Sequence, residues 1–286
     1  MGSPYTNTKR SGGKPSALQK SLKRMLFLSA FVLTGAGIYS LITYILEDKN
    51  TTVEVELPYG TIDQLIDPEV FTKAYMSVNC NDALLNNTQT IRVAGHIVSG
   101  DQKQAFSLIK KRPDQMLFTI DRGSHEMSFG VSDSLVWRRI RAPQHDDLFS
   151  LVEGEEANAW LEQRRFFDWI ISATLGEGRI TGIVGDLWEQ TDCLRVSIEG
   201  ADGEAVDILV SPHTMYPIAE LQTLADGTIK QSVFSDYRDI DGMPLPFKMV
   251  SSVDGESVSQ IILETASLNS GVLSKLFDIP KDLQTN

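Results

Sequence analysis

From residue 90 onward one pattern recurs: short runs in which apolar and polar side chains alternate, separated by turns at intervals of about ten residues. TIRVAGHIVS (90–99) puts Ile91, Val93 and Ile97 on one face, with Arg92 and His96 on the other. QAFSLIKK (104–111) follows. DQMLFTID aligns Met116, Phe118 and Ile120, HEMSFGVS aligns Met127, Phe129 and Val131, and DSLVWRRIRA aligns Leu135 and Trp137. The pattern resumes in CLRVSIEG, AVDILVS, MYPIAELQTL and TIKQSVFSDYRDI (228–240). Asp241-Gly242 then marks a tight hairpin, since glycine accepts the positive φ that such turns require. Pro244 and Pro246 follow at the start of a strand, where a missing N–H is tolerated at an edge or rim. Val233, Tyr237, Phe247 and Met249 of this hairpin are expected to face inward. A period of two with one apolar face predicts an antiparallel meander of about 11 strands. A single sheet of that width must curl, and its concave face then needs apolar cover.

Two segments break the alternation. DPEVFTKAYMSVNCNDALL (67–85) predicts a helix, with Asp67 as N-cap, Pro68 at the first helical position and Glu69 at the positive dipole end. GEEANAWLEQRRFFDWIISATLGEG (154–178) predicts a second, ended by Gly176 and Gly178. It is greasier than a surface helix, so it is expected to plug or cover the sheet. The fold class is therefore α+β.

Before the domain, residues 25–46 run for 22 positions without a charge, enough helix to cover a hydrocarbon core of roughly 30 Å. Lys9, Arg10, Lys14, Lys20, Lys23 and Arg24 precede this stretch, with no acid, while Glu47 and Asp48 follow. By the positive-inside tendency, 1–24 is a disordered basic cytoplasmic tail, 25–46 a single transmembrane anchor, 47–65 a linker and 66–286 an exported domain. A cleaved signal peptide is the rival reading, although the apolar run is long and TYILEDKN offers no small-residue cleavage site. After residue 24 there are 20 bases against 38 acids, a net charge of -18. Such a body lacks the cations that nucleic-acid phosphates demand. Cys80 and Cys193 lie in the exported part, where they could form a disulfide or remain two buried thiols.

No chemistry is spelled out. LGEGRITGIVG (175–185) has Thr181 where a dinucleotide fingerprint needs its third glycine, and no G-x-S-x-G, H-E-x-x-H or P-loop occurs. His96, His125, His145 and His213 show no metal-ligand spacing, so neither a cofactor nor a metal is expected. The arginines of WRRIRAP and EQRRFFDW are either a basic rim for lipid phosphates or an acidic partner, or surface ion-pair partners.

The words LNNTQTIRVAGHI, VDILVSPHTMYPIAELQ and VFSDYRDIDGMPLPFKM, with the order helix, strands, inserted helix, strands, resemble the LolA/LolB-like superfamily of lipoprotein-localisation and RseB-like periplasmic proteins. The resemblance spans roughly residues 66–280. It implies an unclosed β-barrel wrapped around helices, with an apolar cavity that binds lipid or the acyl chain of a lipoprotein without catalysis. It further implies a bacterial envelope setting: an inner-membrane protein with its domain in the periplasm. On that reading the cavity residues are Phe106, Met116, Phe118, Met127, Phe129, Trp137, Phe167 and Trp169. The alternative is a sheet packed solid, these residues being plain core, that docks a partner protein in an envelope complex.

Overall fold

The computed structural model describes residues 57–201, 203–224, 226–280 and 283. The basic tail, the apolar stretch 25–46 and most of the linker lie outside the described residues. Among those described, no helix is long and apolar enough to cross a membrane.

Three helices open the domain: α1 (Ile62–Leu65), α2 (Pro68–Asn79) and α3 (Asp82–Asn87). As predicted, Asp67 caps α2, its carboxylate accepting the N–H groups of Glu69 (2.9 Å) and Val70 (3.1 Å). The single helix expected over 67–85 is broken at Cys80. Asn79 turns its side-chain amide inward to the carbonyls of Tyr75 and Met215, and Asn81 caps α3 instead.

Strands β1 (Thr90–Ser99), β2 (Gln102–Lys111), β3 (Gln115–Asp121), β4 (Glu126–Ser132), β5 (Leu135–Arg141) and β6 (Leu148–Val152) make a first meander. Helices α4 (Gly154–Gln163) and α5 (Trp169–Thr174) come next. A second meander follows: β7 (Gly178–Trp188), β8 (Thr191–Gly200), β9 (Ala205–Val210), β10 (Pro217–Thr223), β11 (Ile229–Ile240), β12 (Met243–Val253) and β13 (Glu256–Leu268). Because β1 pairs with β13, the two meanders join into one antiparallel sheet of thirteen strands. Its order is β6-β5-β4-β3-β2-β1-β13-β12-β11-β10-β9-β8-β7. The outermost strands, β6 and β7, do not pair, so the barrel is unclosed.

The strands beyond the expected eleven include those two edges. LFSLV is short and follows a polar loop, while GRITGIVGDLW is interrupted by glycines, so neither shows a clean alternation. The predicted 154–178 helix is also two helices. The first ends at Gln163, and Asp168 caps α5, accepting the Ile171 N–H at 2.8 Å and the Tyr75 hydroxyl at 2.9 Å.

Register assigns the faces. Lys110, Met116, Val131, Val136 and Val152 are cross-strand partners in succession, and so are Leu108, Phe118, Phe129 and Arg138. Both rows belong to the inner face, where Trp160 of α4 stacks on Phe129 at 4.3 Å and tilts against Phe118 at 5.3 Å. At the other end of the sheet, Phe71 and Tyr75 of α2 and Trp169, Ile170 and Ile171 of α5 bury themselves on Leu194, Val196 and Ile208.

Two expectations about facing are corrected. Trp137 lies on the outer face, not with the inner aromatics, because β5 carries bulky side chains on both sides and Val136 takes the inward place. Its indole lies across Gly130 and points at the Phe277 carbonyl, 3.4 Å away, beneath the C-terminal segment. Val233 packs outward with Cys193, Leu209 and Ala219. Cys193 and Cys80 are both buried free thiols on opposite faces, Cys80 in the inner core and Cys193 in that outer cluster. The sheet itself stands between them and a disulfide.

Two glycines are required by close approach. At Gly95, beside the bulge where β13 carries Glu264 as an extra residue, a Cβ would fall 2.0 Å from the Ile262 carbonyl oxygen. At Gly130 it would fall 2.1 Å from the Trp137 ring. Gly130→Ala is therefore expected to lower stability by about 1–3 kcal/mol through overpacking. Gly182→Ala, with no atom within 4 Å of the new methyl group, is expected to be neutral or mildly stabilising. Denaturant unfolding of both variants checks the contrast.

Candidate functional site

The inner face is filled at both ends by helices and left open between them. A cavity of about 490 Å³ lies there, within the range of about 300–1,000 Å³ typical of small-molecule sites. Its floor follows the register: Val93 pairs with Leu108 and Leu108 with Phe118, while Ile97 pairs with Ile261 and Ile261 with Met249. Ile91, Phe106, Met116, Leu245, Pro246 and Leu263 complete the apolar wall, and Trp160 covers it. The polar side chains in this lining are Lys110 and Gln163.

A second cavity of about 520 Å³ adjoins it, sharing Lys110, Gln163, Leu245, Pro246 and Met249 as common wall. This one is charged. Lys110, Arg165 and Lys230 contribute bases, and Glu162, Asp168, Glu204 and Glu220 contribute acids. Residues 164–168 between α4 and α5 form its roof and are tied on several sides. The Lys110 ammonium donates to the Arg165 carbonyl at 2.6 Å. The Arg165 guanidinium lies over the Trp169 ring, 3.3 Å from its centroid. Arg112 lies against Phe166 and Phe167 at 5.3 and 4.6 Å, and it donates to the Leu85 carbonyl at 2.6 Å. Arg164 donates to the Asp133 carbonyl.

Burial perturbs the ionisable groups. The Lys110 ammonium is pushed down to about 8, first by burial and then by the neighbouring Arg165 guanidinium. Burial pushes the Asp168 carboxyl up, against the opposing N–H of Ile171 and hydroxyl of Tyr75. Burial likewise pushes the Glu220 carboxyl up, and the Trp169 indole N–H and Arg165 oppose it. The Tyr237 hydroxyl, also pushed up by burial, donates to the Pro217 carbonyl at 2.7 Å while its ring stacks on Tyr216.

The eight aromatic and methionine positions singled out in the sequence thus fall into four places. Phe106, Met116 and Phe118 line the apolar cavity. Met127 and Phe129 pack behind it, Phe129 under Trp160. Phe167 and Trp169 line the charged cavity, and Trp137 is on the far side of the sheet. Sequence reading passed over Lys110 and Glu220, and took Arg165 only as one of the arginines of EQRRFFDW. For Lys110 a signal was present: Phe106, Leu108 and Lys110 share one parity, so the alternation itself carries a lysine onto the apolar face. The arginines of WRRIRAP are ion-pair partners: Arg139 meets Glu126 at 2.9 Å, Arg141 meets Asp147 at 3.0 Å, and Arg138 meets Glu156 at 3.9 Å. Among the described residues, no three His, Cys, Asp or Glu side chains are gathered as metal ligands.

No family model matches the sequence, and no curated protein does. Solved structures do match the fold. A DUF1329 family protein from Desulfovibrio piger superposes with a TM-score of 0.52 at 15% identity, over 76% of this chain and 97% of that one. A LolA superfamily protein from Nitrosomonas europaea superposes with a TM-score of 0.50 at 12% identity, over 74% of this chain and 97% of that one. The domain has a LolA-like fold.

The raised Glu220 carboxyl has a pH consequence. Above its folded pKa the buried carboxylate costs stability, and as pH falls from there toward its ordinary value of 4.5 the folded state takes the proton first and gains. Glu220→Gln is therefore expected to raise the Tm at neutral pH and to shrink the gain on acidification. Thermal melts across pH 7 to pH 4.5 check this, and an unchanged profile would remove Glu220 from the list of destabilising charges.

Proposed function

We propose that this domain is a non-catalytic binding protein that holds the acyl chain of a lipid or lipoprotein in its inner apolar cavity. The observation that carries the reading is the cavity of about 490 Å³ left between the two helix-filled ends of the sheet, its wall almost wholly apolar. Affinity would come from the apolar area removed from water, at about 25 cal/mol per Å². The LolA-like fold supports the same reading. The uncharged stretch 25–46 and the six bases before it support a single-pass anchor in a bacterial inner membrane, with the domain in the periplasm.

Native mass spectrometry of the full chain from a bacterial host, followed by organic extraction, tests this directly. A stoichiometric lipid or acylated peptide is the expected result. A ligand-free mass, with no uptake of the neutral fluorophore N-phenyl-1-naphthylamine, would sink the reading and favour a packed docking module.

Two variants separate cavity from core. Val93→Phe fills the cavity and is expected to weaken fluorophore binding by about tenfold or more, roughly 1.4 kcal/mol, with the fold intact. Phe129→Ala, behind Trp160, is expected to cost about 3–5 kcal/mol of stability and to change capture less.

A further inference from the structure

Lys110 stands where the two cavities meet. A chain lying in the apolar cavity therefore ends at an ammonium group. If a methylene takes about the 30 Å³ of a liquid water molecule, the 490 Å³ cavity has room for about sixteen carbons of one chain. The adjoining 520 Å³ is then space for whatever the chain carries.

The charges around that space are ordered. An ammonium has three protons to donate, and Lys110 places one on the Arg165 carbonyl. Burial first, and then the Arg165 guanidinium, push the Lys110 ammonium down, and an anion beside it would favour its charged form. Glu220 lines the charged cavity alone, whereas Lys110 lines both, so the carboxylate lies beyond the junction at which the lysine stands. The whole chamber sets three bases against four carboxylates. A head that was only anionic would meet more acid than base, whereas an anion next to the tail followed by a cation matches the sequence of charges.

We propose that the ligand is a single-chain amphiphile with a zwitterionic head, its anion on Lys110 at the end of the tail and its cation beyond, toward Glu220. A lysophospholipid is the simplest molecule of this class. The inference rests on the acyl-chain reading above and adds the chemistry of the head.

The test displaces N-phenyl-1-naphthylamine from the full chain, held in a lipid-free amphipathic polymer. Four competitors share one tail and are used below their micellar concentrations: hexadecylphosphocholine, hexadecyl phosphate, hexadecanol and hexadecyltrimethylammonium. The phosphocholine is expected to displace at a concentration about tenfold lower than the alcohol, with the phosphate between them and the cation weakest. Lys110→Gln keeps a donor for the Arg165 carbonyl while removing the charge, and it is expected to weaken phosphocholine and phosphate about tenfold and leave the alcohol unchanged. Lys110→Arg restores the order. Glu220→Gln removes the advantage of phosphocholine over phosphate. An alcohol that displaces as well as the phosphocholine, or an order unmoved by Lys110→Gln, overturns the zwitterionic head while fluorophore binding keeps the acyl-chain reading alive. Failure of the unmodified chain to bind the fluorophore overturns both.

Discussion

Pairing of β1 with β13 puts the first and last strands of the domain side by side in the middle of the sheet, which sends the middle of the chain to its two edges. β6 and β7 are consecutive in sequence and farthest apart in strand order. The segment between them must cross from one edge to the other, and the apolar surface it can cover on the way is the inner face. α4 accordingly rests on the first meander through Trp160, and α5 on the second through Ile170 and Ile171. The interior is built from one crossing connection, with α2 packed beside it.

That crossing is too short in helix to fill the whole interior. Where α4 stops at Gln163 and α5 has yet to start at Trp169, five residues bridge the sheet in extended and turn conformations. Bridging backbone has carbonyls to satisfy, and the sheet below supplies Lys110 for one of them. The bases and acids of the chamber cluster under this bridge, and the apolar cavity lies beside it. Charged and apolar halves of the space therefore have a common origin in the break at Asp168, whose carboxylate caps α5 and accepts the Tyr75 hydroxyl.

Much of the sheet was legible because half-buried strands must alternate. Ile91, Val93 and Ile97, or Met116, Phe118 and Ile120, announce their face through period alone. Asp67 announced its helix through cap chemistry that acts within three residues. Trp137 was misplaced because β5 is buried on both faces, and a strand covered twice has no period to read. The break at Asp168 carried a local cap signal too, its carboxylate accepting the Ile171 N–H, but it lay inside a run that otherwise reads as helix. Its second bond, from Tyr75, comes from far away in sequence. The chamber itself joins residues 110, 165 and 220, whose meeting is decided by strand order and leaves no local trace.

The two cysteines gain a use from where the sheet puts them. Both are fully buried, Cys80 among the residues under α2 and α5, Cys193 in the small cluster with Leu209 and Ala219 on the reverse side. Burial holds both thiols above their ordinary pKa, so the reactive thiolate is scarce while the fold is closed. Each becomes a natural reporter of opening on its own side of the same sheet: alkylation of one without the other would reveal which layer loosens first as the protein breathes.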